Sequence, residues 1–357
     1  MKEFCLAPLA GITDWPFRKL CFEQECDGAY TEMVSATGYV FAPQAGATQR
    51  LLYRSEYDQK LVVQLFGKEP DQFAHTIHAL CETGRYDGID INMGCPVHKV
   101  AGGGEGSGLM RTPDTAKAIM MAAVKASTLP VSVKMRLGWK SDQMNYLEYC
   151  KMAEDCGISS ITIHGRTREQ MYSGEADWDR IYEGAASVSI PVYGNGDIFN
   201  AETALKRVND GPVAGVLIAR GALGNPWIFG QIKDLIAGRE MRRPGLEERM
   251  RTALRHLDLQ LSWKPERVAV SEMRKHISWY LHGVRGAASI RDRVNHMVSQ
   301  MEVRQLLEEI AAHGEESWYK SVSASFLCFC YFMQAGGKLP ASWSILWKAF
   351  RMTFQWI

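Results

Sequence analysis

The 357 residues are 46% hydrophobic and 23% charged with a formal net charge of +1, a composition that can bury a large core and excludes a disordered chain. The length exceeds one average domain and accommodates an α/β barrel of about 250 residues plus a smaller module. A net charge this small gives no global attraction to polyanions, so any nucleic-acid role must come from a local concentration of basic groups.

In chain order, short β-rich runs recur, each followed by a glycine or polar loop and then a helix-like amphipathic segment. Eight such runs are predicted: Phe4 to Ala7, Ala29 to Val34, Leu61 to Phe66, Gly88 to Ile91, Val131 to Met135, Ser160 to Ile163, Pro191 to Tyr193 and Ala214 to Ile218. Eight βα units close a (β/α)8 TIM barrel over residues 1–240. A doubly wound sheet also alternates in this way, but it would not explain polar, specific residues at every strand end.

Around Arg239 to Gly245 the strand pattern stops, and Arg242-Arg243-Pro244-Gly245 reads as a linker. Only helical patterning follows, so a smaller all-helical domain is expected over 245–312. Residues 242–304 hold 13 Lys plus Arg against 7 Asp plus Glu, an excess of six. On composition alone this excess fits a solvated helix face as well as a polyanion-binding one. In the tail, 313–357, no acidic residue follows Glu316, and Trp318, Trp343, Trp347 and Trp356 sit among phenylalanines and cysteines. Packing against the body, a docking helix, a membrane-surface segment and a shifted reading frame all fit that pattern.

The nine cysteines are odd in number and scattered, with no Cys-x-x-Cys pair. No metal is expected, and a reducing, cytoplasmic setting is. The N-terminal MKEFCLAPLAG has no long apolar run, and the greasiest stretch, 326–333, is too short to span a bilayer, so no membrane association is expected. The expected oligomeric state is a monomer.

In a barrel the active site lies at the C-terminal ends of the strands. There the chain places Pro8-Leu9-Ala10-Gly11, Glu32-Met33, Gln64, Asn92 to Pro96, Lys134 with Arg136, His164-Gly165-Arg166, Asn195-Gly196-Asp197 and Ala219-Arg220-Gly221. The last two groups fall where barrels commonly bind phosphate, with backbone N–H groups facing the anion and Arg220 adding a charge-assisted bond. Lys134 and His164, on neighbouring strand ends, suit the support of negative charge on a reduced cofactor ring, with Gln64 adding a hydrogen bond. Cys95, between Gly94 and Pro96, can approach a substrate as a proton donor. The glycine-rich run from Gly102 to Gly108 lacks the Lys-Ser/Thr ending of a P-loop and is predicted to be a flexible lid.

Taken together, APLAGITDWPFR, INMGCPVHKV, VKMRLGW, TIHGRTREQMYSGEADW, YGNGDI and RKHISWYL resemble the tRNA-dihydrouridine synthase family, in particular its bacterial B-type branch, over about residues 5 to 310. The resemblance implies FMN held by Pro8, Leu9, Ala10, Gln64, Lys134, His164, Asn195, Gly196, Asp197, Ala219 and Arg220, with Cys95 as the catalytic acid. It implies reduction of the C5–C6 double bond of uridines in tRNA, with NADPH or NADH as electron donor. Asn92, Arg136 and Arg166 are then expected to contact the substrate. The family's helical domain binds tRNA, which makes Arg274, Lys275, Arg285, Arg291 and Arg293 candidates for phosphate contacts, while a flipped uridine enters the barrel. Two features depart from the family pattern: the abundance of glycine between Lys99 and Leu109, with Glu105 among them, and the tryptophan-rich tail. An alternative is a flavin barrel that reduces a free pyrimidine, as in dihydroorotate dehydrogenase-like enzymes, which would not need a basic helical domain. A catalytically silent RNA-binding barrel would have no use for Cys95, Lys134 and His164.

Overall fold

A computed structural model describes residues 2–312, and the tryptophan-rich tail considered above lies outside them. The chain divides into two compact units after Arg243. In the first, nine parallel strand segments form one closed sheet: β1 (Glu3–Leu6), β2 (Gly28–Tyr30), β3 (Val34–Ser35), β4 (Leu61–Phe66), β5 (Gly88–Met93), β6 (Val131–Arg136), β7 (Ser160–His164), β8 (Val192–Asn195) and β9 (Gly215–Ile218). Their order is β2-β1-β9-β8-β7-β6-β5-β4-β3, and β2 pairs with β4 to close the ring. β3 continues the stave begun by β2, pairing Val34 with Leu65 of β4, so the barrel has eight staves. The expected run from Ala29 to Val34 is therefore one stave interrupted at residues 31–33, where the Thr31 hydroxyl accepts the Gln64 N–H at 3.1 Å.

Strand periodicity explains both faces of the barrel wall. In β6, Val131, Val133 and Met135 join the main core between barrel and helices, while Ser132, Lys134 and Arg136 alternate toward the interior. β4 and β5 read the same way, with Val63, Leu65, Ile89, Ile91 and Met93 in the core and Gln64, Asp90 and Asn92 inward. The helices match this wall. Pro70–Glu82 begins with proline at its first position and buries Phe73, Ile77 and Leu80 on one face, as 3.6-residue periodicity requires. Trp178–Ala186 is capped by the Asp177 side chain, which accepts the Arg180 N–H. Each such large apolar side chain removed from water contributes about 1.5–3 kcal/mol.

Several predicted strands stop short of the observed ones. β5 runs to Met93, β6 to Arg136, β7 to His164 and β8 to Asn195, so Asn92, Arg136, His164 and Asn195 are strand residues rather than loop residues. The hydrophobic signal ends where a strand turns polar toward a cavity, although the backbone ladder continues: Arg136 pairs with His164, and His164 with Asn195.

Within the described residues, the second unit is helical: Leu246–Trp263, Glu266–Tyr280 and Ala287–His296, followed by a helix over 300–312. Met250, Ala253 and Leu257 of its first helix, and Met273, Ile277 and Tyr280 of its second, are fully buried at helical spacing. Among the described residues no helix is long and apolar enough to cross a membrane.

Candidate active site

The barrel strands end around a cavity of about 410 Å3, lined at successive positions by Pro8, Leu9 and Ala10, Gln64, Asn92 and Cys95, Lys134 and Arg136, His164, Asn195 to Asp197, and Ala219 with Arg220. The structure thus brings together every barrel residue expected to hold the cofactor, protonate the substrate or contact it, except Arg166. The volume falls in the range of small-molecule sites, about 300–1,000 Å3.

The interior-facing residues form one connected polar network. Lys134 Nζ donates to Asn195 Oδ1 at 3.0 Å, and Asn195 Nδ2 donates to the Leu217 carbonyl at 2.7 Å. Burial, aided by the charge of Arg136, holds Lys134 down to about 8. Asn92 Nδ2 donates to Gln64 Oε1 at 2.8 Å, and Gln64 Nε2 donates to Asp90 at 2.7 Å. Burial, followed by the surrounding charges of Arg136, Lys134, Arg166 and Arg220, holds His164 well below the ordinary histidine range, so its imidazole is neutral near pH 7. The Arg166 guanidinium lies 3.4 Å from His164 Nε2 and can only donate. Nε2 therefore carries the lone pair and Nδ1 the proton. Of the two groups expected to support anionic charge, Lys134 is a cation near neutral pH and His164 offers only a dipole.

Cys95 is half-buried, and burial pushes its thiol up, against the opposing effects of the Val97 N–H and the charges of Arg136 and Lys134. A raised thiol keeps its proton near neutral pH, as a proton donor must. Its backbone is pinned on both sides. Asn92 Oδ1 accepts the N–H groups of Gly94 (3.1 Å) and Cys95 (2.9 Å), and the Cys95 carbonyl accepts from the Ser107 hydroxyl at 2.8 Å.

This corrects the expectation of a flexible glycine lid. Gly106 to Met110 form a buried helical turn packed under the Cys95 loop. At Gly106 the φ is 56° and an added Cβ would lie 3.0 Å from Cys95 Cβ; at Gly108 one would lie 2.6 Å from the Ala101 carbonyl. These glycines are there for close approach, and only Gly102 and Gly103 are exposed.

At the opposite end, Asp197 has φ 52°, a left-handed conformation that acidic residues tolerate better than most. It accepts from Arg166 at 2.6 Å, from the Ala176 N–H at 2.7 Å and from Arg220 at 2.9 Å. These bonds and charges hold its carboxyl low although burial alone would raise it. The preceding Gly196 has φ 129°, and a Cβ there would stand 2.6 Å from Ala176. Asp197 therefore organises the arginine-bearing end of the cavity, while Arg220, the more exposed of its two arginines, lies 5.2 Å from the rings of both Tyr172 and Phe199.

Arg166, expected to contact substrate, is only 1% exposed and donates to the carbonyls of Ser173 and Gly174 as well as to Asp197. Its hydrogen bonds are made inside the protein, so it braces the loop, and it lines an adjoining pocket with Tyr172, Phe199 and Arg220. Arg136 is likewise buried, bonded to the carbonyls of Gly94, Thr167 and Met171, but it lines the cavity. In the helical unit Arg285, Arg291 and Arg293 are exposed. Arg274 and Lys275 are half-buried, and Arg274 donates to the Met297 carbonyl at 2.7 Å, so part of its donor capacity closes a helix end.

Sequence reasoning missed Asp90, Ser107, Tyr172 and Phe199. Asp90 sits inside a hydrophobic run, GIDINM, where only the inward register of a barrel strand marks it. Tyr172 and Phe199, each 52% exposed, lie on loops with no periodicity to expose them.

Against known proteins, residues 5–315 match the family described as dihydrouridine synthase (Dus). The chain is 38% identical over 307 residues to "tRNA-dihydrouridine synthase B" of Pasteurella multocida (strain Pm70), covering 85% of this chain and 91% of that protein. It is 37% identical over 309 residues to a "Probable tRNA-dihydrouridine synthase" of Rickettsia conorii (strain ATCC VR-613 / Malish 7), covering 86% and 93% respectively. Among solved structures, histamine dehydrogenase from Rhizobium sp. 4-9 superposes with a TM-score of 0.50 at 10% identity, covering 72% of this chain and 49% of that one, a likeness of fold. With its cysteine, lysine and arginine around one barrel mouth, the chain belongs to the dihydrouridine synthase family.

Proposed function

We propose that this protein is an FMN-dependent tRNA-dihydrouridine synthase that reduces the C5–C6 double bond of uridines in tRNA with NADPH or NADH as electron donor. The observation that carries the reading is a single cavity holding a proton-bearing thiol, a buried ammonium and an arginine-bearing end. The residues fit FMN. The Lys134 ammonium forms no salt bridge among the described residues, as suits a group awaiting an anionic ligand. Asn195, Gly196, Asp197, Ala219 and Arg220 would hold the phosphate, Pro8, Leu9 and Ala10 would pack on the ring system, and Gln64, Lys134 and His164 would bond its polar edge. FMN, once bound and reduced by NADPH or NADH, would supply the hydride that C6 of the uracil ring takes up. Cys95 Sγ gives its proton to C5, which balances the two-electron reduction, and the thiolate left behind is stabilised by Arg136 and Lys134 until it takes a proton from solvent. Asn92 and Arg136, which line the same cavity as Cys95, orient the base. Arg285, Arg291 and Arg293 on the helical unit supply sequence-independent phosphate contacts, with Arg274 and Lys275 as minor contributors.

The test is anaerobic spectroscopy of the purified protein. Flavin absorption that bleaches with NADPH and returns on adding unmodified tRNA is the expected result. Return with a free pyrimidine in place of RNA would transfer the reading to a metabolic dehydrogenase, and a protein that cannot be loaded with FMN would end it.

A further inference from the structure

Beneath the cavity lies a carboxylate that the chemistry above does not use. Asp90 on β5 is fully buried and forms no salt bridge among the described residues, an arrangement that costs stability unless hydrogen bonds offset it. Its Oδ1 accepts from the Ser132 hydroxyl and its Oδ2 from Gln64 Nε2, both at 2.7 Å. Gln64 Oε1 in turn accepts from Asn92 Nδ2 at 2.8 Å. Asn92 Oδ1 then accepts the N–H groups of Gly94 and Cys95 at 3.1 and 2.9 Å.

Burial pushes the Asp90 carboxyl up to about 6, against the hydrogen bonds from Gln64 and Ser132, so above that pH it is ionised, and an ionised carboxylate only accepts. Gln64 must turn its NH2 group to Asp90 and its carbonyl to Asn92, and Asn92 must then turn its carbonyl to the cysteine loop. Reversing any link sets donor against donor or acceptor against acceptor at a buried site, which is strongly disfavoured. Without Asp90 only the two loop N–H groups hold the direction of the chain; the Gln64 NH2 group loses its buried acceptor, and inversion of the pair, which points an Asn92 NH2 group at those N–H groups, becomes a competing state.

Building on the function proposed above, we propose that Asp90 is a positioning residue whose carboxylate fixes the Gln64 and Asn92 amides and thereby holds Cys95 in place as a proton donor.

The test compares Asp90→Leu, which keeps the branched shape in a somewhat larger side chain but cannot accept, with Asp90→Asn, which keeps a carbonyl for Gln64 and can turn its NH2 group to the Ser132 hydroxyl. Two quantities are read: the iodoacetamide alkylation rate of Cys95, followed at that peptide by mass spectrometry, and the single-turnover rate of uridine reduction. Asp90→Leu is expected to speed Cys95 alkylation severalfold and to slow uridine reduction by about tenfold to a hundredfold, the scale of a roughly 1 Å misplacement. Asp90→Asn is expected to stay within about twofold of the unaltered protein in both, since its carbonyl preserves the direction of the chain. An unchanged alkylation rate in Asp90→Leu, or equal damage in Asp90→Asn, overturns the proposal. If Asp90→Leu does not fold, hydrogen exchange of the Gln64 and Asn92 side-chain amides in the unaltered protein decides: protection is expected, and exchange as fast as exposed amides overturns it. Alkylation and exchange do not depend on the substrate. A protein with the expected responses that reduces no uridine would sink the function and leave this relay standing, whereas an active enzyme indifferent to Asp90→Leu would sink the relay alone.

Discussion

Lys134 gives a prediction in which function and stability oppose each other. The side chain is held down to about 8 from an ordinary 10.5 by burial and by Arg136. At about 1.36 kcal/mol per tenfold change in the protonation equilibrium, that drop places a penalty of about 3 kcal/mol on the folded, flavin-free protein. The ammonium faces a cavity that water can enter, so a discount of about half leaves about 2 kcal/mol. The folded value lies below the unfolded one. The penalty is therefore complete below pH 8 and fades as pH rises toward 10.5, where the lysine is neutral in both states. Lys134→Met keeps most of the volume and removes the charge. In urea unfolding of flavin-free protein at pH 7, the variant is expected to be about 1–2 kcal/mol more stable than the unaltered protein. The difference should shrink steadily as the pH is raised to about 10. The same variant should bind FMN at least about tenfold more weakly, having lost a charge-assisted contact. A variant less stable at pH 7, or a stability difference that ignores pH, would refute the reasoning.

Further expectations follow from the same geometry. Cys95→Ala should leave FMN binding and NADPH-driven flavin reduction intact while slowing uridine reduction about 100- to 10,000-fold, the usual worth of a general acid; near-normal turnover would remove Cys95 from that role. Asp197→Ala releases Arg166, Arg220 and the Ala176 N–H together, and should weaken FMN binding by about tenfold or more in a fluorescence titration. If affinity is unchanged, Asp197 does not organise the arginine-bearing end. Charge reversal of Arg291 and Arg293 to Glu should weaken tRNA binding and lower the slope of log affinity against log salt by about two, with flavin reduction untouched; an unaltered slope would move the RNA surface elsewhere.

The barrel was legible because a parallel sheet wrapped in helices writes its outward face as Val, Ile and Leu at every second position, as in Val131, Val133 and Met135. Its inward face was legible only in part. Lys134, Asn195 and Cys95 stood out because polar residues at strand ends have few structural uses. Asp90 did not, since one acid inside a hydrophobic run looks the same whether it faces solvent or a polar barrel interior. The burial of Arg166 was illegible for a related reason: arginine is seldom fully buried, and nothing local shows that Asp197, thirty-one residues on, closes around it. The glycine run was misread because glycine for flexibility and glycine for close packing are identical in sequence; the Cβ contacts at Gly106 and Gly108 separate them.

The most direct test is product analysis. Unmodified tRNA incubated with the FMN-loaded protein and NADPH, then digested to nucleosides for mass spectrometry, should yield dihydrouridine, with two hydrogens gained at the expense of uridine, and the Cys95→Ala protein should yield almost none. RNA that keeps all of its uridine, while NADPH still bleaches the flavin, would contradict the assignment of uridine reduction to this cavity.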